Sequence, residues 1–352
     1  HRSAMQATQV PPGHGATESY RSSGSTGTPI EITVNGLVTL VNTALRWRYH
    51  SWNSLSWAEP MVIWQLDAQA SPGGIVPLGP WGPKWSPEST GVSWGVAKDI
   101  DTETMASFLT DSRSAYVNRG PKAMHVFALD CERLGLRPSF DAILCQGEAC
   151  DESDREAFHR VFGARAVELY SAKESGHIAH PCEHGSLHLA EEAIFVELLN
   201  EAGDPCEVGE TGDVTVTPLY FTAQPVIRYQ LGDMAEYAPP CACGRKSRVL
   251  GKIHGRSTAI FSHPDGRAIL RFLPASAKGI LQCGPWQLAQ TGPLEFEMRY
   301  VPMGIADEIA LTVLFKETFF PEAQLRFLQV ERIQPQPSGK YLEYVNEYAG
   351  AR

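Results

Sequence analysis

Tyr20-Arg21-Ser22-Ser23-Gly24-Ser25-Thr26-Gly27-Thr28-Pro29 is the stretch of this 352-residue chain on which its fold is decided. Small side chains let the backbone come close to anionic oxygens, and the amides and hydroxyls then donate hydrogen bonds to them. That combination cradles phosphates. No Gly-Lys-Ser/Thr closes the stretch, so it is not a Walker A loop. The same composition also suits a flexible Ser/Gly linker, and the stretch by itself leaves both readings open.

Working outward, five further segments follow in a fixed order: Gln146-Gly147-Glu148-Ala149, Tyr170-Ser171-Ala172-Lys173-Glu174, Ile227-Arg228-Tyr229-Gln230-Leu231-Gly232-Asp233, Gly255-Arg256-Ser257 and Pro337-Ser338-Gly339-Lys340. Each is weak alone. At these separations the set resembles the adenylate-forming superfamily of acyl-CoA synthetases, adenylation domains and luciferases. Within it, Cys182 with Leu187-His188 and Cys241-Ala242-Cys243-Gly244-Arg245 resemble the phenylacetate-CoA ligase branch. Residues 20–260 carry the resemblance and the remainder carries little of it. Branch members usually have a longer segment ahead of the Ser/Thr/Gly loop.

The resemblance implies an α/β fold: a large N-terminal adenylate-forming domain of mixed sheets and helices, plus a small α+β C-terminal domain. Residues 1–255 would hold ATP, the acid and a structural zinc site, and 256–352 would be the small mobile domain. Ser22, Ser23, Gly24, Ser25, Thr26, Gly27 and Thr28 would cradle the β- and γ-phosphates. Gly147 and Glu148 would line the adenine pocket, and Tyr170 would stack on the base. Asp233 would accept from the ribose hydroxyls, a task its two oxygens suit. Glu174 would ligand Mg²⁺, which asks for hard oxygen donors beside a triphosphate. Arg256 would contact ribose or phosphate. Lys340 would reach the carboxylate and α-phosphate, where negative charge builds.

Two departures from the family pattern stand out. Lys173 replaces the Thr that usually precedes the metal-binding Glu174, and Thr258-Ala259 replaces the acidic hinge after Gly-Arg-x. The implied reaction is ATP-dependent activation of a carboxylic acid as acyl-AMP with release of pyrophosphate, then transfer to coenzyme A or a carrier-protein thiol. The altered hinge keeps alternatives in view: a ligase that passes the adenylate to an amine or carrier protein, AMP transfer to a phenolic hydroxyl, or a nucleotide-binding protein without turnover.

Cys182, His188, Cys241 and Cys243 form a set suited to tetrahedral Zn²⁺, and the resemblance implies a structural role for it. His184 competes with His188; the Gly185-Ser186-Leu187 context favours His188. His177, His180 and His184 also cluster and read as a polar loop without metal. For the acid, Trp52, Trp57, Trp64 and His125 are candidate wall residues, and aromatic lining favours an aryl or other hydrophobic acid.

Composition limits the partners. Hydrophobic residues make up 43% and charged residues 20%, ordinary for a globular protein, and the length suggests two domains. A net charge of -10 argues against nucleic acid as the main partner. No apolar run approaches the roughly 18 residues of a membrane span, and no signal-peptide pattern opens the chain. The chain starts at His1, so residues can precede it. Eight scattered cysteines suit a reducing cytoplasm. A homodimer is one allowed assembly.

Periodicity predicts helices over 30–48, 102–109, 124–134 and 152–162, and strands over 140–145, 166–170, 194–199 and 212–218. Residues 51–94 hold six of the eight Trp among Gly and Pro and read as a loop-rich wall. Beyond a boundary near Gly255-Arg256, β-like runs cover 295–301, 309–315 and 328–333, with a helix over 321–327.

Overall fold

The computed structural model describes residues 10, 11, 13, 15–21, 30–66, 74–82, 90–256, 261–265, 268–269, 273–274, 276–334 and 341–348. It divides into two compact units, His1–Gly255 and Arg256–Arg352. The architecture is mixed α/β, as the sequence predicts.

Unit one opens with β1 (Thr17–Arg21) antiparallel to β2 (Glu31–Asn35). Ile32 and Val34 of β2 are buried while Glu31 is exposed, the two-residue period of a strand. Asn35 then caps α1 (Gly36–Trp52), its side chain accepting from the Val38 amide. The helix predicted over 30–48 is therefore a strand and then a helix, with the Asn35 cap marking the change.

Residues 51–94 contain three strands, β3 (Met61–Leu66), β4 (Ile75–Pro80) and β5 (Val92–Ala97), so the irregular wall is a correction. After α2 (Thr102–Ser112) come β6 (Tyr116–Arg119), α3 (Pro121–Leu134), β7 (Ala142–Gln146), α4 (Glu152–Phe162) and β8 (Arg165–Ala172). β3 runs parallel to β5 and β6, β6 to β7, and β7 to β8, while β4 closes the edge antiparallel to β5. Parallel neighbours require crossovers, and α2, α3 and α4 supply them. Their apolar faces (Met105 and Leu109, Met124 and Phe127, Phe158 and Phe162) fill one core with Val62, Val117 and Ile143. Truncating a ring such as Phe158 to Ala would cost about 3–5 kcal/mol.

β8 is the seam of the sheet. Its other edge pairs antiparallel with β9 (Gly176–Pro181), and the sheet continues through β10 (Leu187–Leu189), β14 (Val249–Arg256), β13 (Tyr229–Ala238), β12 (Thr211–Pro218) and β11 (Ile194–Leu199). Among the described residues these strands form one sheet of 12 strands. Ile32, Val38, Tyr170, Ile178, Val196, Val216, Leu231 and Leu250 share a second core, so β2, α1 and the antiparallel strands pack on common ground.

Unit two contains β15 (Phe261–Ser262) and β16 (Ala268–Ile269), then α5 (Ser276–Leu281), β17 (Cys283–Gln290), β18 (Glu295–Pro302), α6 (Glu308–Thr318), β19 (Gln324–Gln329) and β20 (Tyr344–Asn346). The four-stranded order is β19-β18-β17-β20. Two corrections fall here. The run predicted as a strand over 309–315 lies in α6, which Asp307 caps through the Ala310 amide and which buries Leu311 and Phe315. The helix predicted over 321–327 gives way to β19, parallel to β18.

Candidate functional site

Ligands of open parallel sheets gather outside the carboxyl ends of the strands, where the strand order reverses. Gln146 ends β7, so Gly147 and Glu148 sit at that rim. Gly147 has a φ of 83°, a left-handed turn that glycine adopts without strain. Glu148 approaches the start of α3: a Cβ on the cap residue Gly120 would come within 2.8 Å of Glu148 Oε2. No side chain caps that helix through a hydrogen bond, and a carboxylate at its amino end is favoured by the helix dipole.

Behind this turn lies a buried ionic network. Lys122 Nζ donates to Asp151 Oδ2 at 2.7 Å and Asp154 Oδ2 at 2.8 Å, and His125 Nδ1 lies 2.7 Å from Asp154 Oδ1. Asp154 is fully buried and also completes a capping box with Asp151. His125 therefore ties α3 to α4. Removing one member would leave a buried charge unpaired and cost about 3–5 kcal/mol.

Ala172 ends β8 and Glu174 follows in the turn to β9, half-buried. The residues predicted to hold ribose and base meet directly: the Tyr170 hydroxyl donates to Asp233 Oδ2 at 2.8 Å, across 63 positions of sequence. Tyr170 stands on β8 and Asp233 on β13, which are separated in the sheet by β9, β10 and β14. The sheet must curl for them to touch. Arg256 is the last residue of β14, and its side chain lies outside the described residues. Ser22, Ser23, Gly24, Ser25, Thr26, Gly27, Thr28, Thr258, Ala259 and Lys340 also lie outside the described residues.

The candidate metal ligands come together. One donor atom from each of Cys182, His188, Cys241 and Cys243 lies within 4.8 Å of all the others. Cys182 and Cys241 Sγ are 3.8 Å apart, and Cys243 Sγ is 3.2 Å from His188 Nε2. A tetrahedron with metal–sulfur bonds of about 2.3 Å has sulfur–sulfur edges of about 3.8 Å, so the donor set fits such an ion. His188 Nδ1 lies 3.3 Å from Ser247 Oγ, a partner that orients the ring. Hydrogen bonds from Ser186, from the Cys243 amide and from His188 bring the Cys241 thiol down to about 6. Burial, its largest influence, pushes neighbouring Cys182 up. The two thiols move in opposite directions: hydrogen-bond donors favour the thiolate at Cys241, and burial disfavours it at Cys182. His184 contributes its backbone amide to Cys182 Sγ, at 3.4 Å.

The four predicted wall residues do not share a surface. Trp52 stands by the Cys/His cluster, its ring beneath the Arg48 and Arg245 guanidiniums and edge-on to His188. Trp64 is core, donating to the Ala97 carbonyl and meeting Phe127 edge-on. Trp57 stacks on His50 and on Trp81.

Of the three histidines read as a polar loop, His184 does lie in an exposed turn, but His177 and His180 are strand residues. His177 and His180 are buried on β9, with His177 Nδ1 2.9 Å from His180 Nε2 and Arg48 Nη2 3.0 Å from His180 Nδ1. Burial, reinforced by Arg46 and Arg48, lowers His177 to about 3. Burial and Arg46 likewise lower His50 to about 3. No local pattern flags Arg48, Ser186, Ser247 or Lys122 as partners, because the groups they serve are distant in sequence.

No protein-family model matches the chain. It is 23% identical over 245 residues to the phenylacetate-coenzyme A ligase of Thermus thermophilus, covering 66% of this chain and 52% of that protein. It is 27% identical over 165 residues to the phenylacetate-coenzyme A ligase of Aromatoleum evansii, covering 44% of this chain and 37% of that one. The chain thus spans about half, or less, of the length of these relatives. Its fold is similar to that of 2-hydroxyisobutyryl-CoA ligase in the postadenylation state with 2-HIB-AMP, with a TM-score of 0.70 at 15% identity over 93% of this chain and 73% of that one.

Proposed function

We propose that this chain, a phenylacetate-CoA ligase-like member of the adenylate-forming superfamily, activates a carboxylic acid as acyl-AMP, releases pyrophosphate and passes the acyl group to a thiol such as coenzyme A. The observation that carries this reading is the Tyr170–Asp233 hydrogen bond, which joins two motif residues on separated strands. A carboxylate oxygen of the acid attacks the α-phosphorus of ATP; the bond from that phosphorus to the bridging oxygen breaks, and pyrophosphate leaves. Only contacts stronger in that transition state than in the ground state accelerate the step.

Asp233 takes the ribose hydroxyls, and the Tyr170 hydroxyl fixes its carboxylate while the ring lies on adenine. Gly147 and Glu148 line the base. Glu174 would hold Mg²⁺, which neutralises phosphate charge when bound. By the motifs they belong to, Ser22 to Thr28 are assigned to the β- and γ-phosphates, Arg256 to ribose or phosphate, and Lys340 to the carboxylate and α-phosphate. Cys182, His188, Cys241 and Cys243 hold zinc. With all four positions taken by protein groups, such an ion would join the end of β9, β10 and the 241–243 turn and serve the fold rather than the reaction.

Pyrophosphate release by the full chain with ATP, Mg²⁺ and a panel of aryl and short aliphatic acids, with and without coenzyme A, tests the reading. Acid-dependent release with thioester formation is expected. Release without loss of free coenzyme A favours transfer to an amine or a carrier protein, a reading motivated by Thr258-Ala259 at the hinge. No release with any acid overturns the proposal.

A further inference from the structure

The parallel strands β3, β6, β7 and β8 turn two different faces to their surroundings. One face, with Val62, Trp64, Val117 and Ile143, packs against the crossover helices. The amino-terminal half of the other face is filled by a separate core that includes Tyr49, Leu55, Trp81, Tyr116 and Val167. Toward the carboxyl ends of the strands this second face becomes polar. Asn118 pairs with Ile63 on one side and Leu144 on the other, and Gln146 pairs with Leu169. Paired residues of a parallel ladder share a face, and the two-residue period puts Gln146 on the face of Leu144. Gln65 joins them by contact: its side-chain amide donates to the Asn118 side-chain carbonyl at 2.6 Å.

This polar band lies at the rim that holds Gly147 and Glu148. Gln146 directly precedes Gly147, and Asn118 stands two residues before Gly120, the helix cap that Glu148 approaches. Ligands of such sheets gather at the carboxyl ends of the strands. Gln65 is exposed, and Asn118 and Gln146 are half-buried, so all three remain open to a ligand. A carboxamide carries two N–H donors and a carbonyl acceptor. The single Gln65–Asn118 bond therefore leaves hydrogen-bonding capacity on both residues, whichever way the amides are turned. Ile63, Gln65, Asn118, Leu144, Gln146 and Leu169 are all uncharged. The rings of the core beneath them are packed on one another: Trp57 stacks on Trp81 at 5.0 Å, and Trp81 meets Tyr116 edge-on at 6.2 Å. An aryl acid would thus meet carboxamides in place of an aromatic slot and would cover them without pairing them.

We propose that Gln65, Asn118 and Gln146 read the acid, and that this acid is a short aliphatic one bearing a neutral hydrogen-bonding group: a hydroxyl, an oxo group or a carboxamide. The inference rests on the adenylation reading and names its substrate class. Carboxamides present N–H and C=O side by side, so they can meet a group that donates, accepts or does both. The apolar floor of Ile63, Leu144 and Leu169 suits a skeleton of a few carbons, because the filled core behind it stops a longer chain. A second carboxylate or an ammonium would enter this face without a counter-charge and is disfavoured. An unsubstituted acid leaves the carboxamides covered and unpaired, which is how a hydrogen-bonding site rejects the analogue that lacks the group.

Two measurements test it on the full chain. The first is kcat/KM from pyrophosphate release for matched acids: 3-hydroxybutyrate and acetoacetate against butyrate, and lactate against propionate, with succinate, benzoate and phenylacetate alongside. The wild type is expected to favour the polar acid on the order of tenfold or more in at least one pair, and to favour it over succinate and both aryl acids. Gln65→Leu and Asn118→Leu are each expected to bring that ratio toward one, with MgATP affinity, read by calorimetry, unchanged. A wild type that prefers an unsubstituted, dicarboxylic or aryl acid, or a ratio that both variants leave unchanged, overturns the inference while adenylation itself stands. The second measurement needs no turnover. The side-chain amide signals of Gln65 and Asn118 in nitrogen–proton NMR, assigned through the two variants, are expected to shift with the preferred polar acid and not with its unsubstituted partner. Pyrophosphate release from a polar acid with no shift at either amide also overturns the inference. Shifts without release from any acid would remove the reaction and keep the recognition, and neither shifts nor release would overturn both.

Discussion

Two clusters of His and Cys lie only a few residues apart in the chain, and their surroundings give them opposite chemistry. Cys182, His188, Cys241 and Cys243 converge their donor atoms within 4.8 Å. Hydroxyl and amide donors there stabilise a thiolate on Cys241. His177 and His180, five and two residues upstream of Cys182, are set against Arg48 and the field of Arg46, which disfavour any added positive charge. The first arrangement has the donor set and spacing that suit a cation. The second fixes neutral imidazoles. Residue type nominates a metal site, but the neighbours' charges decide whether it is one.

The largest effect should come from dismantling the first cluster. Cys241→Ser/Cys243→Ser should lose zinc and several kcal/mol of stability, since structural zinc contributes on the order of 10 kcal/mol of binding free energy in small domains. Metal analysis and thermal unfolding read both. His177→Phe should keep its zinc. Near-stoichiometric zinc in the double cysteine variant would erase the contrast between the clusters.

Acid should act next, on the second cluster. His50 and His177 have folded values of about 3 against 6.5 for an ordinary histidine. Between those values the unfolded chain binds protons that the folded chain does not. Stability therefore falls as pH drops from about 6.5 toward 3 and is indifferent to these groups above that window. Each histidine contributes up to about 1.4 kcal/mol per pH unit. Urea unfolding across pH 4 to 7 should show a shallower acid limb for His50→Phe than for wild type; parallel limbs would mean that His50 is not buried in its neutral form.

A smaller effect is expected at the nucleotide side. Tyr170→Phe removes one hydrogen bond to a carboxylate, worth about 1.5 kcal/mol or somewhat more, and should weaken MgATP binding roughly tenfold. The smallest belongs to Glu192→Gln, which removes a largely exposed partner of Arg48. Stability should change by less than about 1 kcal/mol, and the Arg48 bond to His180 should hold. Altered histidine nitrogen shifts in this variant would show that Glu192 orders that bond.

Local signals carried much of the fold. The helix Glu152–Phe162 was legible to the residue because Asp151 caps one end and Gly163 ends the other in a left-handed turn. Tertiary pairing overrode such signals elsewhere. Ile309, Val313 and Phe315 look like a strand, yet burial of Leu311 and Phe315 one helical turn apart selects a helix, and Ile309 is left 80% exposed. Within the candidate site, motif order singled out Tyr170 and Asp233, which share a hydrogen bond, and residue type nominated Cys182, His188, Cys241 and Cys243, whose donor atoms the fold brings within 4.8 Å of one another. The Arg48–His180 contact was invisible, because the guanidinium stands on α1, some 130 positions away. His125 looked like a substrate wall because its partner Asp154 lies on another helix.

Titration calorimetry of the full chain with MgATP addresses the nucleotide reading most directly. Saturable binding by the wild type is expected, at least tenfold weaker in Asp233→Ala, because the proposed function gives that carboxylate the ribose hydroxyls and the substitution also removes the partner of Tyr170. Equal affinity in the two proteins, or no binding by either, would show that the meeting of Tyr170 and Asp233 does not serve a nucleotide.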